Sequence, residues 1–242
     1  MEGERLRVLV IEDDEIVRRA IRLTCESGGY AVSELPGGAP AVERVASLHP
    51  DIVLLDLMLP DVSGFEVCRE LRRRGERMPI LILSAKSEEI DVVLGLEIGA
   101  DDFIQKPFRP RELLARIAVH LRKARERGGL PAPPGGPLSF RGLSVDVGAR
   151  RVSHLGGEVA LTHTEFDILA CLAAHAGQVV SRQRIMDAVW GPGHPLDMRV
   201  IDVHIRNLRR KIEDDPARPH FILAVPGVGY RFAGVRTAEV TG

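Results

Sequence analysis

Five short apolar runs separated by amphipathic stretches dominate the first 124 residues of the chain. Two of these runs, 51–56 (DIVLLD) and 80–84 (ILILS), are almost continuously apolar rather than alternating. Strands have this pattern when helices cover both faces of their sheet, and regular strand–helix alternation favours a parallel, doubly wound α/β fold. We predict five strands and five helices, with the strands at 6–11, 30–34, 51–56, 80–84 and 103–106 and the helices near 15–28, 40–48, 64–74, 88–98 and 110–124.

The pattern changes after this first domain, which we place at 1–124. Residues 125–137 (RERGGLPAPPGGP) are rich in Gly and Pro, and we interpret them as an interdomain linker. Beyond them we predict short strands within 138–161, then three helices and a terminal pair of strands. This is the layout of a winged helix-turn-helix α+β domain, placed at 138–234 with a tail at 235–242. The helices are predicted at 163–176, 181–190 and 197–213, and the last strands at 220–225 and 229–233.

The composition is typical of a globular protein, with 45% hydrophobic and 28% charged residues, and it excludes a mostly disordered chain. No apolar run reaches the roughly 18 residues of a membrane span, and the N-terminus lacks a signal-peptide layout. Three scattered cysteines, Cys25, Cys68 and Cys171, are expected to be reduced thiols with packing roles. We therefore expect a cytoplasmic protein without a membrane partner.

The charge is unevenly distributed along the chain. The net charge of −1 argues against generic nucleic-acid binding, but the first 136 residues carry 20 basic and 23 acidic side chains and the remainder 13 and 11. Five basic and two acidic residues fall within 199–213 alone. A local basic helix on a near-neutral protein suits DNA binding that depends on docking geometry.

Carboxylates and other polar groups fall at the ends of the predicted strands. Glu12 and Asp13 close the first strand and Asp56 closes the third, and these strands are neighbours in the order 2-1-3-4-5. Clustered carboxylates repel one another, so they lie close together only if a hard cation neutralises them or if their protonation is shifted. Mg²⁺ is the natural candidate for such a cation. With Ser84 and Lys106 at the ends of the fourth and fifth strands, the set can accept and hold a phosphoryl group. Separately these residues are ordinary helix caps and surface groups; together at one edge they favour a site.

Four segments resemble the receiver domain of response regulators: IEDD (11–14), LLDLMLPDVSG (54–64), LSA (83–85) and GADDFIQKPF (99–108). The resemblance spans 5–124 and implies the flavodoxin-like fold of CheY-like receivers. It also implies a role for each matching residue: Asp56 as phosphoacceptor, Mg²⁺ ligands from Glu12, Asp13, Asp56 and the carbonyl of Met58, a switch pair Ser84 and Phe103, and Lys106 as phosphoryl contact before a cis bond to Pro107.

The segment 199–213 (RVIDVHIRNLRRKIE) predicts an amphipathic helix. At 100° per residue, one face is aliphatic and the other mixes Arg with a small apolar residue, flanked by Asp202 and Asn207. Such a face suits the major groove, where Arg pairs with guanine and Asn with adenine, although a solvated basic face fits this helix equally well. The aliphatic face comprises Ile201, Ile205, Leu208 and Ile212, and the opposite one Arg199, Val203, Arg206 and Arg210.

The neighbouring segments LTHTEFDILACLAAHAG (161–177), VVSRQRIMDAVWG (179–191), RVIDVHIRNLRRKI (199–212) and VPGVGYRF (225–232) resemble the OmpR/PhoB winged-helix output domain. Three positions depart from its pattern: Pro226 replaces a frequent wing Arg, which predicts weak minor-groove reading, while Val200 replaces Thr and His163 replaces Pro. The contacts implied are Arg199, Val203, Arg206 and Asn207 in the groove and Arg182, Trp190, His204, Arg209 and Tyr230 at phosphates.

Together the two halves resemble an OmpR/PhoB-family two-component response regulator. The resemblance implies a transcription regulator rather than an enzyme, which a sensor histidine kinase phosphorylates on Asp56 and which then dimerises and binds double-stranded DNA. RNA polymerase stays open as a further partner. The family dimerises through the fourth helix, fifth strand and fifth helix of the receiver, and Val92 here replaces a basic residue of that face. The matching positions are Val93, Leu96, Asp102, Glu112, Leu114 and Arg116.

Two other functions fit the sequence less well. A flavodoxin-like enzyme that binds a nucleotide cofactor, or a phosphatase, is disfavoured because the acidic IEDDEIV segment stands where a Gly-rich phosphate loop would follow the first strand. A regulator that binds DNA constitutively is disfavoured because Asp56, Ser84 and Lys106 are all present.

Overall fold

A computed structural model describes residues 5–85, 89–125, 137–194 and 197–237. The chain divides into two compact units, residues 1–124 and 125–242. Most of the predicted linker and the end of the predicted tail lie outside the described residues, so the domain limits stay predictions. Among the described residues, no helix combines the length and hydropathy needed to cross a membrane.

The first unit is a five-stranded parallel sheet in the order β2-β1-β3-β4-β5, as the sequence predicts. Each strand is followed by a helix, and the boundaries agree with the predicted ones to within one or two residues. The elements are β1 (Arg7–Ile11), α1 (Glu15–Ser27), β2 (Ala31–Leu35), α2 (Ala41–Leu48), β3 (Ile52–Asp56), α3 (Gly64–Arg73), β4 (Ile80–Ser84), α4 (Glu89–Glu97), β5 (Asp102–Gln105) and α5 (Pro110–Arg125).

The two central strands explain why the apolar runs are continuous. Every residue of β3 and β4 is buried. Alternate strand residues such as Val8, Leu54 and Leu81 form one cluster with residues of α1 and α5, and intervening residues such as Leu9 and Leu55 are buried as well. The sheet is therefore covered on both faces, and its polar groups are confined to the strand ends.

Both cysteines of this unit are buried, as expected from their packing roles. Cys25 belongs to the cluster between the sheet and α1, and Cys68 is 0% exposed in α3. Burial raises the pKa of Cys25 to about 12 and that of Cys68 to about 11.

The second unit contains two antiparallel sheets and three helices. One sheet has the order β6-β7-β8-β9 and the other β10-β12-β11. The elements are β6 (Leu138–Phe140), β7 (Leu143–Asp146), β8 (Arg151–His154), β9 (Gly157–Glu158), α6 (His163–Ala174), β10 (Val179–Ser181), α7 (Arg182–Trp190), α8 (Arg199–Ile212), β11 (Ile222–Val225) and β12 (Gly229–Phe232).

Strand β10 was not predicted from the sequence. Its three residues pair antiparallel with β12, and Ser181 then caps α7 by accepting a hydrogen bond from the backbone N–H of Arg184 at 3.2 Å. The strands approach so closely that a Cβ on Gly229 would overlap the carbonyl of Val180. The helix therefore begins one residue later than predicted, because Ser181 terminates a strand and caps the helix.

A buried ion pair joins the end of α3 to the residue that precedes β5. The guanidinium of Arg72 donates to Asp101 Oδ2 at 2.7 Å and to the carbonyl oxygens of Gly99, Glu76 and Met78. The Asp101 side chain is 0% exposed and that of Arg72 12%. Loss of Arg72 would leave the charge of Asp101 buried without its cationic partner.

We expect Arg72→Met to destabilise the full-length protein by about 3 kcal/mol or more, because the buried Asp101 carboxylate would lose its cationic partner. Urea unfolding followed by circular dichroism measures this. Arg69→Met makes the same substitution at an exposed position of the same helix, and we expect a change within about 0.5 kcal/mol. Equal unfolding midpoints for the two variants would contradict a stabilising role. The fluorescence of Trp190, the single tryptophan, reports on the second unit and should be unaffected.

Candidate functional site

Three carboxylates meet at the carboxyl edge of the parallel sheet. Glu12 and Asp13 follow β1, and Asp56 ends β3, which pairs with β1 in the register Ile11↔Leu55. One ligand oxygen from each carboxylate lies within 4.8 Å of the others. Glu12 and Asp56 are buried, whereas Asp13 is exposed. We call these three residues the acidic cluster.

Lys106 neutralises part of the negative charge of the acidic cluster. Its Nζ lies 2.5 Å from Glu12 Oε2 and 3.0 Å from Asp56 Oδ2. Its backbone N–H donates to the Ser84 carbonyl at 2.8 Å, and the Lys106–Pro107 peptide bond is cis. Burial raises the pKa of the Glu12 carboxyl, and the Lys106 ammonium opposes that rise.

The donor set fits a hard divalent cation. Three carboxylates and one ammonium leave an excess of negative charge, and carboxylate oxygens are the ligands that Mg²⁺ prefers. The backbone N–H of Met58 donates to Asp56 Oδ1 at 3.3 Å, so the Met58 peptide lies beside the cluster, while its side chain extends towards solvent. The sequence prediction of a cation site thus matches the chemistry of the residues that the fold brings together.

Arg18, which sequence reasoning missed, supports the loop that carries the acidic cluster. Its guanidinium NH1 donates to the carbonyl oxygens of both Glu12 and Asp13, at 2.8 and 2.9 Å, and its Nε lies 3.8 Å from Glu34 Oε1. The adjacent Asp14 is the residue that caps α1, accepting hydrogen bonds from the backbone N–H groups of residues 16 and 17. Asp14 therefore caps the helix, and the carboxylate of Asp13 can contribute to the acidic cluster.

Gly64 is required by the loop that leads from Asp56 to α3. A Cβ at this position would overlap the carbonyl of Asp56 and the backbone of Leu57.

Both predicted switch residues are buried. Ser84, at the end of β4, is 0% exposed, and Phe103, in β5, is 3% exposed. Phe103 is packed inside the domain in this structure, and its switch role stays a prediction.

The basic helix α8 has the predicted buried stripe but a narrower exposed face than predicted. Ile201, Ile205, Leu208 and Ile212 are buried. Four exposed positions follow one another at spacings of three and four residues, Arg199, Asp202, Arg206 and Arg210, and Lys211 is exposed beside the last of them.

The structure corrects the placement of two groove candidates. Val203 and Asn207 are each only 6% exposed, because α8 packs against both α6 and α7 and so buries more than one stripe. Among the predicted phosphate contacts in α7 and α8, Trp190 and His204 are also buried, at 3% and 1% exposed, and their rings lie 5.5 Å apart.

The remaining phosphate candidates form a group beside the β10-β12-β11 sheet. Tyr230, in β12, is 5% exposed, and its hydroxyl donates to Asp202 Oδ1 at 2.7 Å. The Arg182 Nε lies 3.0 Å from the same oxygen. Arg209 is half-buried and donates through Nε and NH2 to the carbonyl of Ile222. Burial and the Asp202 carboxylate raise the pKa of Tyr230 to about 12.

Both halves of the chain match known protein families. The family model of the response regulator receiver domain matches residues 8–118, and that of the C-terminal domain of transcriptional regulatory proteins matches residues 156–232. The DNA-binding response regulator MtrA of Mycolicibacterium smegmatis is 41% identical over 231 residues, which are 96% of this chain and 98% of that protein. The chain belongs to the OmpR/PhoB family of response regulators.

Other relatives of this response regulator have similar coverage. MtrA of Mycobacterium tuberculosis is 42% identical over 96% of this chain and 98% of its own. Among solved structures, a mutant of RitR covers 94% of this chain and 98% of its own at 25% identity and a TM-score of 0.75. DrrB, a Thermotoga maritima OmpR/PhoB homolog, is 33% identical over 96% of this chain and 100% of its own, with a TM-score of 0.47.

The structure of this response regulator places the predicted dimer residues unevenly. Leu96 is 0% exposed, because it lies on the inner side of α4, whereas Ile90 and Leu94 are 73% and 40% exposed. The exposed apolar residues of α4 are therefore not those named from the family pattern. Val92, Val93, Glu112 and Leu114 are half-buried.

Two residues that match the dimer face of the family, Asp102 and Arg116, form an ion pair inside the chain. Arg116 NH1 lies 3.0 Å from Asp102 Oδ1, and both side chains are buried. Arg116 also lies 2.8 Å from Glu112, and His120 Nε2 lies 3.4 Å from Asp102 Oδ2. In this structure Arg116 therefore pairs with Asp102 and Glu112 of its own chain.

The raised pKa of Tyr230 predicts a specific titration. In a Tyr30→Phe background, which leaves Tyr230 as the single tyrosine, tyrosinate absorbance should be nearly absent at pH 10, where an ordinary tyrosine is half ionised. Because the folded pKa exceeds the unfolded one, the associated stability is complete below about pH 10 and is lost towards about pH 12. Half-ionisation at pH 10 in the folded protein would contradict the burial of this hydroxyl.

Proposed function

We propose that this chain is a phosphorylation-controlled transcription regulator that accepts a phosphoryl group on Asp56 from a sensor histidine kinase. The supporting observation is the contact of Lys106 Nζ with both Glu12 and Asp56, with Asp13 in the same cluster. A nucleophilic carboxylate, an ammonium and further oxygen ligands then surround one point at the sheet edge.

The proposed reaction is an in-line transfer to the Asp56 carboxylate. A carboxylate oxygen attacks the phosphorus of the kinase phosphohistidine, the P–N bond breaks, and the electron pair leaves with the imidazole, so that an acyl phosphate forms. Mg²⁺ held by Glu12, Asp13, Asp56 and the Met58 carbonyl would neutralise charge on the transferring group. The chain performs this chemistry on itself and is otherwise not an enzyme.

Within this reaction Lys106 changes partners. Its ammonium now contacts Asp56 Oδ2, and once that carboxylate is phosphorylated it can donate to a phosphoryl oxygen instead. Ser84, buried at the end of the neighbouring strand, carries a hydroxyl that can donate to another phosphoryl oxygen. Phosphorylation therefore exchanges hydrogen-bond partners at the ends of β4 and β5, which is the physical basis of the proposed switch.

The proposed output is dimerisation followed by binding of double-stranded DNA through α8. Its exposed Arg199 and Arg206 can read base edges or contact phosphates. Arg182 and Arg209 are the remaining phosphate candidates. On the receiver, a dimer face would include Val93, Glu112 and Leu114 together with the exposed Ile90 and Leu94, and repeated half-sites would lie about one DNA turn apart.

Adjacent acidic residues provide a matched test of the cation site. Asp13→Asn should weaken Mg²⁺ binding by at least about tenfold, because it removes a charged ligand of the cluster. Asp14→Asn should leave it unchanged, because Asn caps a helix about as well as Asp. Isothermal titration of the full-length proteins with Mg²⁺ measures both. Equal affinities in the two variants would refute the assignment of Asp13.

A phosphoryl mimic tests the regulatory function as a whole. Beryllofluoride with Mg²⁺ should convert the wild-type protein to a dimer in sedimentation and increase its affinity for DNA. The same addition to Asp56→Ala should change neither property, because no carboxylate remains to hold the mimic. A wild-type protein that stays monomeric at working concentrations would overturn dimerisation, and equal DNA affinities with and without the mimic would favour constitutive binding.

A further inference from the structure

One carboxylate oxygen of the second unit connects three elements, α7, α8 and β12. Asp202 lies in the first turn of α8, Arg182 opens α7, and Tyr230 lies in β12, in the hairpin that forms the wing. Asp202 Oδ1 accepts from Arg182 Nε at 3.0 Å and from the Tyr230 hydroxyl at 2.7 Å. We call these three residues the Asp202 cluster.

Further contacts hold the Asp202 cluster together. The Arg182 guanidinium lies 5.0 Å from the centroid of the Tyr230 ring, and that of Arg209 lies 5.9 Å from it. The backbone N–H of Arg182 donates to the Val228 carbonyl at 3.3 Å, next to the wing turn. The position of the Arg182 side chain is therefore determined by α8 and the wing together.

The charge of Asp202 is unfavourable for DNA binding in itself. Its side chain is 46% exposed on the same side of α8 as Arg199 and Arg206, where a DNA phosphate would repel it. Arg182 uses one of its five N–H donors on Asp202 and remains 27% exposed, so it can still contact a phosphate. A carboxylate at this location therefore opposes the DNA phosphates directly and can favour DNA binding through the groups that it positions.

We propose that Asp202 is a positioning residue that determines DNA specificity: together with the buried Tyr230 it holds Arg182 in a fixed phosphate-binding position that sets the register of α8 in the groove. This inference rests on the proposed DNA-binding function. It predicts that removal of Asp202 changes the two DNA affinities in opposite directions. Affinity for a specific site falls, because phosphate contacts set register. Affinity for other DNA rises, because a repulsive charge is lost.

The experiment compares two DNA duplexes at one salt concentration. The specific duplex is selected from a random pool by the full-length wild-type protein with beryllofluoride, and the second is a scrambled duplex of equal length. We expect Asp202→Ala to bind the selected duplex about tenfold more weakly and the scrambled one more tightly, so that the ratio of the two affinities falls. Tyr230→Phe, which keeps the ring, should weaken binding of the selected duplex with no gain on the scrambled one.

Asp215→Ala is the matched control, because Asp215 is an exposed acidic residue after α8 outside the Asp202 cluster. It removes the same charge and should leave the ratio of affinities unchanged. Trp190 fluorescence in urea checks that each variant is folded.

The possible failures are distinguishable. Parallel losses on both duplexes with Asp202→Ala would mean a structural role only and would overturn the inference, as would unchanged affinities. If the wild-type protein selects no sequence from the pool, the proposed DNA-binding function fails instead.

Discussion

Mutual repulsion among carboxylates is the constraint on which the receiver site depends. Glu12 and Asp56 are buried within hydrogen-bond distance of a single ammonium, and a third carboxylate lies close by. The parallel sheet forces this proximity, because neighbouring strands end at the same edge. The remaining negative charge attracts a divalent cation, and a cation beside a nucleophilic carboxylate favours an incoming phosphoryl group. The reactivity of the site therefore follows from the order of the strands.

Much of this arrangement could be predicted from sequence, because it depends on local patterns. Apolar runs define the strands, strand–helix alternation defines the sheet order, and residues that end strands share one edge. These rules brought Glu12, Asp13, Asp56 and Lys106 together without coordinates. Arg18 escaped prediction because its contacts are to backbone carbonyl oxygens, which carry no sequence signal.

The helix α8 shows where sequence reasoning reaches its limit. A helical wheel assigned the buried stripe correctly, since that stripe depends on helical periodicity alone. It could not determine how much of the circumference is covered, because this depends on how many neighbouring helices pack against it. Two helices cover α8, so Val203 and Asn207 are buried. The family pattern failed at Leu96 for the same reason: residue identity indicates an apolar position but not whether it faces the core or solvent.

The buried thiols of the first unit restrict the kinds of signal that it can receive. Thiolates rather than thiols react with oxidants and electrophiles, and the raised pKa values of Cys25 and Cys68 keep both sulfur atoms protonated at neutral pH. Both thiols are also 0% exposed, so neither offers a reactive thiolate to solvent. In the proposed function, the signal enters this domain instead through a carboxylate oxygen at the sheet edge.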